Sequence, residues 1–505
     1  MKIRPDLVGL IHFVGIGGIG MSGIAEILHG LGYQVGGSDL AMSANVQRLR
    51  DKGIKIAIGH HEDNIKGAKL LVITSAATEH NPEIIAARAK RIPIIRRAEM
   101  LAELMRLKLA VAVAGTHGKT TTTSMAAAMM DAAGVDPTVI NGGVINQYGS
   151  NAYLGKGDWI VVEADESDGT FVHLPATIGI ITNIDPEHME HFGSFDRVIE
   201  AFYTFAANLP FYGFAVLCHD HEVVRSLLPR LRDRRFFTYG MSEGVTKDSA
   251  QQADLYAENI TLNRQGATFD LVISERLAKS ALIADVTLPR RLTKLQLNML
   301  GRHNLSNALA VITMAVGLGF GEAPIRQAVS KFTGVKRRFT KTGEVGGVTV
   351  IDDYGHHPVE IKAVLSAARL VCPRNQGGGD GAGRVIAVAQ PHRYTRLRDL
   401  MVDFAECFDD ADELILADVY AAGEEPIAGV TSDALIQAIK KARPKFPVTK
   451  LVRPEDLPSL IAARARTGDY VVCLGAGSIT YWAQDLPQNL VNLQGKSQHL
   501  AGAVS

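Results

Sequence analysis

The chain has 505 residues with 47% hydrophobic content, enough for about three globular domains with their own cores. Lys plus Arg equals Asp plus Glu at 53 each, which excludes a net field that would recruit nucleic acid or an anionic membrane, so any anion site must be built locally. Cys218, Cys372, Cys407 and Cys473 are widely spaced with no CxxC pair; they read as buried small hydrophobes in a reducing compartment, and with no run of about 18 apolar residues a cytoplasmic protein is expected.

The first apolar run, Leu7 to Val14, is short, contains His12 and ends in glycine, so it reads as a strand and not as a signal peptide. It opens "HFVGIGGIGMSGIAEIL", where Gly15, Gly17 and Gly20 spell GxGxxG, with Gly18 in the same turn. A parallel sheet is expected from the series that follows: "YQVGGSD", a helix near Ala44, "IKIAIG", "LLVITSA", a helix near Pro82 and "IPIIRR". Glycines at a strand-to-helix turn admit a pyrophosphate to a helix N-terminus. Asp39, next to Ser38, stands about where a ribose-binding acid follows in a dinucleotide fold, which makes an NAD oxidoreductase one candidate.

The pattern restarts at "LKLAVAVAGTHGKTTTTSMAAAMMDAAG", and a boundary near Leu107 follows. Gly118, Lys119 and Thr120 stand in Walker A order between a strand, Leu109 to Ala114, and a helix that stops near Gly134. The first Walker glycine is displaced: Val113 occupies its position, and Gly115 follows two residues later. The physics survives, because Gly115, Thr116, His117, Gly118 and Thr121 offer backbone N–H groups and a helix start, Lys119 neutralises phosphate, and Thr120 can ligate magnesium. An ATP site also needs metal-holding carboxylates at a neighbouring strand end. "DWIVVEADESD" supplies Glu163, Asp165, Glu166 and Asp168, with Glu163 favoured, and "TNIDPEHMEH" adds Asp185, Glu187, His188 and His191 for a second cation. The strand "FAVLCHD" follows, then a β-rich segment from about Phe236 to Arg290 and the helical "HNLSNALAVITMAVGLG". After "FTGVKRRF" a third α/β unit begins near Val335, with "VTVIDDYG", "PVEIKAVLSAARLV", "RVIAVAQ", "ELILADVY" and "YVVCLGAG"; the glycine-rich stretch 376–383 between helix and strand reads as a flexible surface loop. The expected architecture is three α/β domains, 1–107, 108–334 and 335–505.

With "HFVGIGGIGMSGIAE", "GTHGKTTT", "EADESD", "TNIDPEHM", "GRHNLSNALA", "GVKRRF", "DDYGHHPVEI" and "QPHRYTR" in this order, nearly the whole chain resembles the Mur ligase family, the ATP-dependent amide-forming enzymes of peptidoglycan assembly. The resemblance implies an N-terminal Rossmann-like UDP-binding domain, a central P-loop ATPase-type domain and a C-terminal Rossmann-like domain that closes over the nucleotide. It implies ATP and two magnesium ions, and UDP-N-acetylmuramate and L-alanine as small-molecule substrates. Lys119 becomes the phosphate lysine, Thr120 and Glu163 ligands of one ion, and His188 a ligand of the second. His303 and Asn304 become the adenine pair, with Arg338 on the ATP phosphates and Asp352 or Asp353 on the nucleotide. Tyr354, His356, His392, Arg393 and Arg396 face the amino acid, and Gly15, Gly17, Gly18 and Gly20, with Ser38 and Asp39 beside them, become the cradle of a UDP instead of an NAD. A relative that attaches recycled tripeptide to the same sugar acid, an NAD oxidoreductase and a silent UDP-sugar-binding regulator are the competing readings.

Overall fold

Apolar runs bounded by glycine become strands throughout, as buried parallel sheets require. The computed structural model describes residues 5–74, 77–241, 253–283, 288–372 and 383–502. The first sheet holds Leu10–Val14 (β1), Val35–Asp39 (β2), Lys55–Ile58 (β3), Ala68–Ile73 (β4) and Ile94–Arg96 (β5), in the order β3-β2-β1-β4-β5 and parallel throughout. Its helices are Pro5–Val8 (α1), Ile19–Gly30 (α2), Ala44–Asp51 (α3), Pro82–Ala89 (α4) and Arg97–Met105 (α5). Local chemistry sets their starts. Ser43 accepts a hydrogen bond from Val46 N at the head of α3, and Asn81 accepts one from Glu83 N at the head of α4, where Pro82 fits the first turn.

The second sheet has ten strands: Leu109–Ala114 (β6), Thr138–Ile145 (β7), Ser150–Tyr153 (β8), Trp159–Glu163 (β9), Ile178–Ile181 (β10), Phe214–Cys218 (β11), Phe236–Met241 (β12), Leu255–Asn263 (β13), Gly266–Ile273 (β14) and Arg291–Leu297 (β15). Their order is β15-β14-β13-β12-β11-β10-β6-β9-β7-β8. The segment from Phe236 that pattern leaves open therefore extends the edge of this sheet, although its residues 242–252 and 284–287 lie outside those described. Sequence reading missed β7 and β8, an antiparallel pair in which "VINGG" and "SNAY" show no clean alternation. The helix Lys119–Ala132 (α6) follows β6 directly.

The third sheet runs β16-β17-β21-β18-β19-β20, from Thr340–Val345 (β16), Val348–Asp353 (β17), Val385–Ala389 (β18), Glu413–Leu416 (β19), Val448–Lys450 (β20) and Tyr470–Leu474 (β21). Only the edge strand β16 is antiparallel to its neighbour among these pairs. Alternate residues of β18 feed two cores: Val385, Ala387 and Ala389 pack with Ile361 and Leu365 on one face, and Ile386 and Val388 with Ile479 and Ala483 on the other. That is a doubly wound sheet. The glycine-rich stretch 376–383 lies outside the described residues except for Gly383. All four cysteines are buried and unpaired, as expected.

The chain divides into two compact units, 1–260 with 268–298 and 304–335, and 261–267 with 299–303 and 336–505. Within the first unit, α2 packs against β7 and β8, which joins the first two sheets. A Cβ on Gly23 of α2 would lie 2.9 Å from Asn151 Nδ2, so a glycine is required there. Asn151, fully buried on β8, donates to Ile19 O at 2.6 Å and accepts from Arg48 Nη2 at 2.8 Å.

Candidate active site

The glycine turn after β1 is held from within. Gly15 N and Ile16 N donate to Ser38 O, Gly18 N donates to Gly15 O, and Gly17 N donates to Asp39 Oδ2 at 2.8 Å. The amides left for a ligand are those of Ile19, Gly20 and Met21, which have no partner inside the helix they begin. Two expectations change here. Asp39 spends one carboxylate oxygen on the turn, and the other faces Ala41 N, so it shapes the cradle. Ser38 is fully buried and donates to Glu83 at 2.7 Å, which places its hydroxyl behind the cradle and out of ligand contact. Glu83 is itself fully buried and also meets His12 at 3.0 Å and Asn64 at 2.6 Å. Burial opposes its charge, yet these hydrogen bonds with His12, Asn64 and Ser38 hold the carboxyl down to about 2.

The second turn lies at the carboxyl end of β6, between two neighbouring strands of the same sheet. Gly115 and Gly118 have φ of 138° and 81°, conformations that disfavour side chains. A Cβ would strike Thr182 Oγ1 at position 115 and would come within 2.6 Å of Asn307 Oδ1 at position 118. The loop backbone is braced by Asn183, whose Oδ1 accepts from His117 N at 2.7 Å, and Thr182 Oγ1 donates to His117 O at 2.7 Å. Thr116 accepts from Asp185 N at 2.8 Å and its own amide donates to Asn183 O at 3.2 Å, so, with His117 N held by Asn183 as well, the Thr116 and His117 amides expected to offer N–H groups to phosphate brace the loop instead, and that contact falls to the amides that begin α6. The ring of His117 lies 3.4 Å from Asp185. Sequence reading named the loop and missed these braces, because Thr182, Asn183 and Asn307 are distant in the chain.

Lys119 Nζ donates to Gly115 O at 2.7 Å, Thr116 O at 3.0 Å and Glu166 Oε1 at 2.8 Å. Burial works against its charge, but the Glu166 and Glu163 carboxylates outweigh it and hold the ammonium well above its ordinary range. Glu166 is 4% exposed; burial foremost, and then the charges of Asp165 and Glu187, push it up to about 8 against the pull of Lys119. Its Oε2 is buried without a hydrogen-bond partner among the described residues. Glu166, Glu187 and His188 bring ligand atoms within 4.8 Å of one another, with His188 in a left-handed conformation at φ 56°. Carboxylates crowded in this way, with an oxygen left unpaired, suit a hard divalent cation, and the imidazole adds a nitrogen. Of the expected metal residues, His188 joins this cluster. Thr120 is buried in the first turn of α6, and Glu163 accepts from Gly142 N at 2.8 Å. Asp165 turns to Arg97 at 2.9 Å, and Asp168 accepts from Thr170 N at 3.1 Å in its own turn. His191 lies outside the cluster, its Nε2 near Gly169.

Asn304 belongs to the first unit, where it is buried, and Asn307 Nδ2 lies 3.5 Å from its Oδ1. The remaining expected residues belong to the second unit. Burial, then the Arg338 charge, lowers His303 to about 4, so its imidazole is neutral at pH 7. Arg337 and Arg338 lie over the Tyr354 ring, with guanidinium carbons 4.7 and 5.2 Å from its centroid. Asp353 accepts from Phe339 N at 2.6 Å and Gly355 N at 2.7 Å, which clamps "KRRF" to "DDYG"; burial pushes its carboxyl up to about 6. Asp352 is 2% exposed, accepts from Thr480 at 2.7 Å and lies 3.9 Å from Arg337 Nε, so it braces that arginine. The His356 and His392 rings meet edge to face at 5.4 Å, and His392 stacks on Tyr420 at 5.5 Å. Arg396 Nη1 donates to His392 O at 3.1 Å, and Arg393 N donates to Tyr420 O at 2.9 Å. Tyr420 was not legible in "ADVYAAGE"; its ring rests on Gly477, where a Cβ would come within 2.6 Å.

A strand-turn-helix loop with a buried lysine and a carboxylate and imidazole cluster beside it, in a chain whose other two sheets are also largely parallel α/β, define a P-loop type of nucleotide-using α/β enzyme. Three family models cover the chain in order: Mur ligase family, catalytic domain, over residues 10–109; Mur ligase middle domain over 113–315; and Mur ligase, glutamate ligase domain, over 337–477. The UDP-N-acetylmuramate–L-alanine ligase of Rhodospirillum rubrum is 55% identical over 504 residues, 99% of each chain. The crystal structure of a UDP-N-acetylmuramate-alanine ligase from Thermotoga maritima superposes with a TM-score of 0.76 at 28% identity, covering 97% of this chain and 100% of that one. A murein peptide ligase from Psychrobacter arcticus shares the fold, with a TM-score of 0.69 at 24% identity over 95% of this chain and 98% of that one. The chain belongs to the Mur ligase family and is an ATP-dependent ligase. No helix among the described residues is long and apolar enough to cross a membrane.

Proposed function

We propose that this enzyme joins L-alanine to the lactyl carboxylate of UDP-N-acetylmuramate, giving UDP-N-acetylmuramoyl-L-alanine, ADP and phosphate in peptidoglycan precursor synthesis. The observation that supports this most is the 55% identity with the Rhodospirillum rubrum enzyme over 99% of both chains. An NAD oxidoreductase loses its basis, because the first glycine turn needs only a diphosphate at a helix start, and UDP carries one. In this reading residues 1–107 hold the UDP-sugar, 108–334 the ATP and 335–505 the amino acid. In this reading the reaction runs in the cytoplasm, where ATP is at hand as co-substrate.

A carboxylate is a poor electrophile because its leaving group would be oxide. Its oxygen therefore attacks the γ-phosphorus of ATP and ADP departs, leaving an acyl phosphate. The amine of L-alanine then attacks the carbonyl carbon, the C–O bond to phosphate breaks with its electrons on phosphate, and the amine gives up a proton. Two anions must meet in the first step, so the chain supplies positive charge and oriented dipoles. Lys119 and the first-turn amides of α6 face the β and γ phosphates, and Arg338 adds a guanidinium fork. The donors present suit two magnesium ions: Thr120 and Glu163 would hold one and Glu166, Glu187 and His188 the other, and bound there they would neutralise phosphate charge. His303 and Asn304 take the adenine. Arg393 and Arg396 bind the carboxylate of L-alanine, and Tyr354, His356 and His392 wall its pocket.

ADP release measured with UDP-N-acetylmuramate and magnesium, with L-alanine, tripeptide or neither, tests this reading. Turnover that depends on L-alanine is the expected result. Turnover that depends on tripeptide would transfer the assignment to the peptide-recycling relatives.

A further inference from the structure

Arg97 begins α5 directly after β5, at the carboxyl end of the first sheet where ligands of such sheets bind. Its side chain lies over the first glycine turn: a Cβ on Gly20 would come within 3.1 Å of its Cδ and 3.2 Å of its Nη1. The other end of the guanidinium reaches the acidic loop, where Nη2 donates to Asp165 Oδ2 at 2.9 Å. Asp165 is pinned in its own turn, since its Oδ1 accepts from Ser167 N at 3.0 Å. The next residue is Glu166, the partner of Lys119 at 2.8 Å. One planar, rigid group thus touches the sugar-nucleotide cradle on one edge and the loop beside the ATP lysine on the other.

We propose that Arg97 is a positioning residue that couples the two nucleotide sites: a diphosphate seated on the α2 amides fixes the Nη1 edge of the guanidinium, and the Nη2 edge then fixes Asp165 and the Lys119–Glu166 pair for ATP. The proposal rests on the reading of the first turn as the UDP-sugar site. Coupling of this kind makes each nucleotide tighten the other, and the effect is reciprocal. It also favours use of ATP when the acceptor carboxylate is present, which limits idle hydrolysis.

The test is calorimetric titration of the full chain with ADP and magnesium, with and without saturating UDP-N-acetylmuramate. In the wild type the sugar nucleotide should lower the ADP dissociation constant by about fivefold or more, within the usual range for coupled sites. Asp165→Asn, which does not touch the glycine turn, should bind UDP-N-acetylmuramate within about twofold of wild type and reduce the coupling below about twofold. Arg97→Ala should lose the coupling together with part of the sugar-nucleotide affinity. Arg97→Lys keeps the charge without the fork, and should restore that affinity and leave the coupling lost. Full coupling retained in Asp165→Asn, or none in the wild type, overturns the proposal and leaves the substrate assignment intact. A wild type that binds ADP but no UDP-N-acetylmuramate overturns the assignment and the proposal together.

Discussion

Replacing Lys119 by methionine separates chemistry from folding. The ammonium makes three hydrogen bonds, to Gly115 O, Thr116 O and Glu166, and the variant removes all of them. A buried charge left without its partner ordinarily costs about 3–5 kcal/mol. Glu166 has an escape, however. Its carboxyl is already at about 8 with the lysine present, so at pH 7 it largely holds its proton, and losing the lysine raises it further and keeps it neutral. The stability loss then shrinks to that of the hydrogen bonds, about 1–3 kcal/mol. Catalysis has no such escape, since the lysine meets the charge carried by the moving phosphoryl group, and loss of one preorganised contact of this kind lowers turnover by about 100- to 1000-fold. Urea unfolding at pH 7 measures the first quantity and ADP release with all substrates the second. A folded Lys119→Met protein that turns over within about tenfold of wild type refutes the role of the lysine, and a stability loss beyond about 5 kcal/mol refutes the protonation argument.

Further outcomes are expected. Since the Glu166 carboxyl rises from 4.5 to about 8 on folding, its contribution is fully present below pH 4.5 and is lost as pH rises to 8; Glu166→Gln should flatten that part of the pH–stability curve. Glu83 has the opposite sign: its carboxyl falls from 4.5 to about 2, so it stabilises above pH 4.5 by about 3 kcal/mol, and acid unfolding profiles of Glu83→Gln should lack this loss between pH 4.5 and 2. Gly118→Ala forces an alanine to φ 81° and a Cβ to 2.6 Å from Asn307 Oδ1, so it should lose about 1–2 kcal/mol of stability in thermal unfolding and weaken ADP binding as well. Arg393→Ala should raise the KM for L-alanine by about tenfold to hundredfold, the worth of a charge-assisted hydrogen bond, and leave the KM for ATP near wild type in steady-state assays.

Local signals were legible in the sequence. "LAVAVAGTHGKTT" encodes strand, turn and helix within a few residues, and β6 and α6 lie where that pattern puts them. The glycines at 115 and 118 were readable for the same reason, since a left-handed turn demands them on the spot. Partners that depend on tertiary closeness were not readable. Among four carboxylates in "EADESD", none announces which one meets Lys119; only the apposition of β6 and β9 settles that it is Glu166. Ser38 and Asp39 were in the correct strand, and their directions were hidden, because whether a residue at a strand end faces ligand or core depends on what α4 brings beneath it, here Glu83. Tyr420 and Arg97 carry no motif and gain meaning only from Gly477 and Gly20, whose missing side chains make room for them.

The contact of Gly23 with Asn151 also sets the unit in which this protein can be recombined. The first 107 residues look like a portable cassette, yet Asn151 holds the carbonyl of Ile19 and the guanidinium of Arg48 from a strand more than a hundred residues away. A chimera that imports a relative's first sheet alone would place a foreign helix against a native hairpin and lose both hydrogen bonds. One that imports residues 138–153 with it keeps the pair matched. Substitutions at positions 23, 48 and 151 should accordingly succeed as a set.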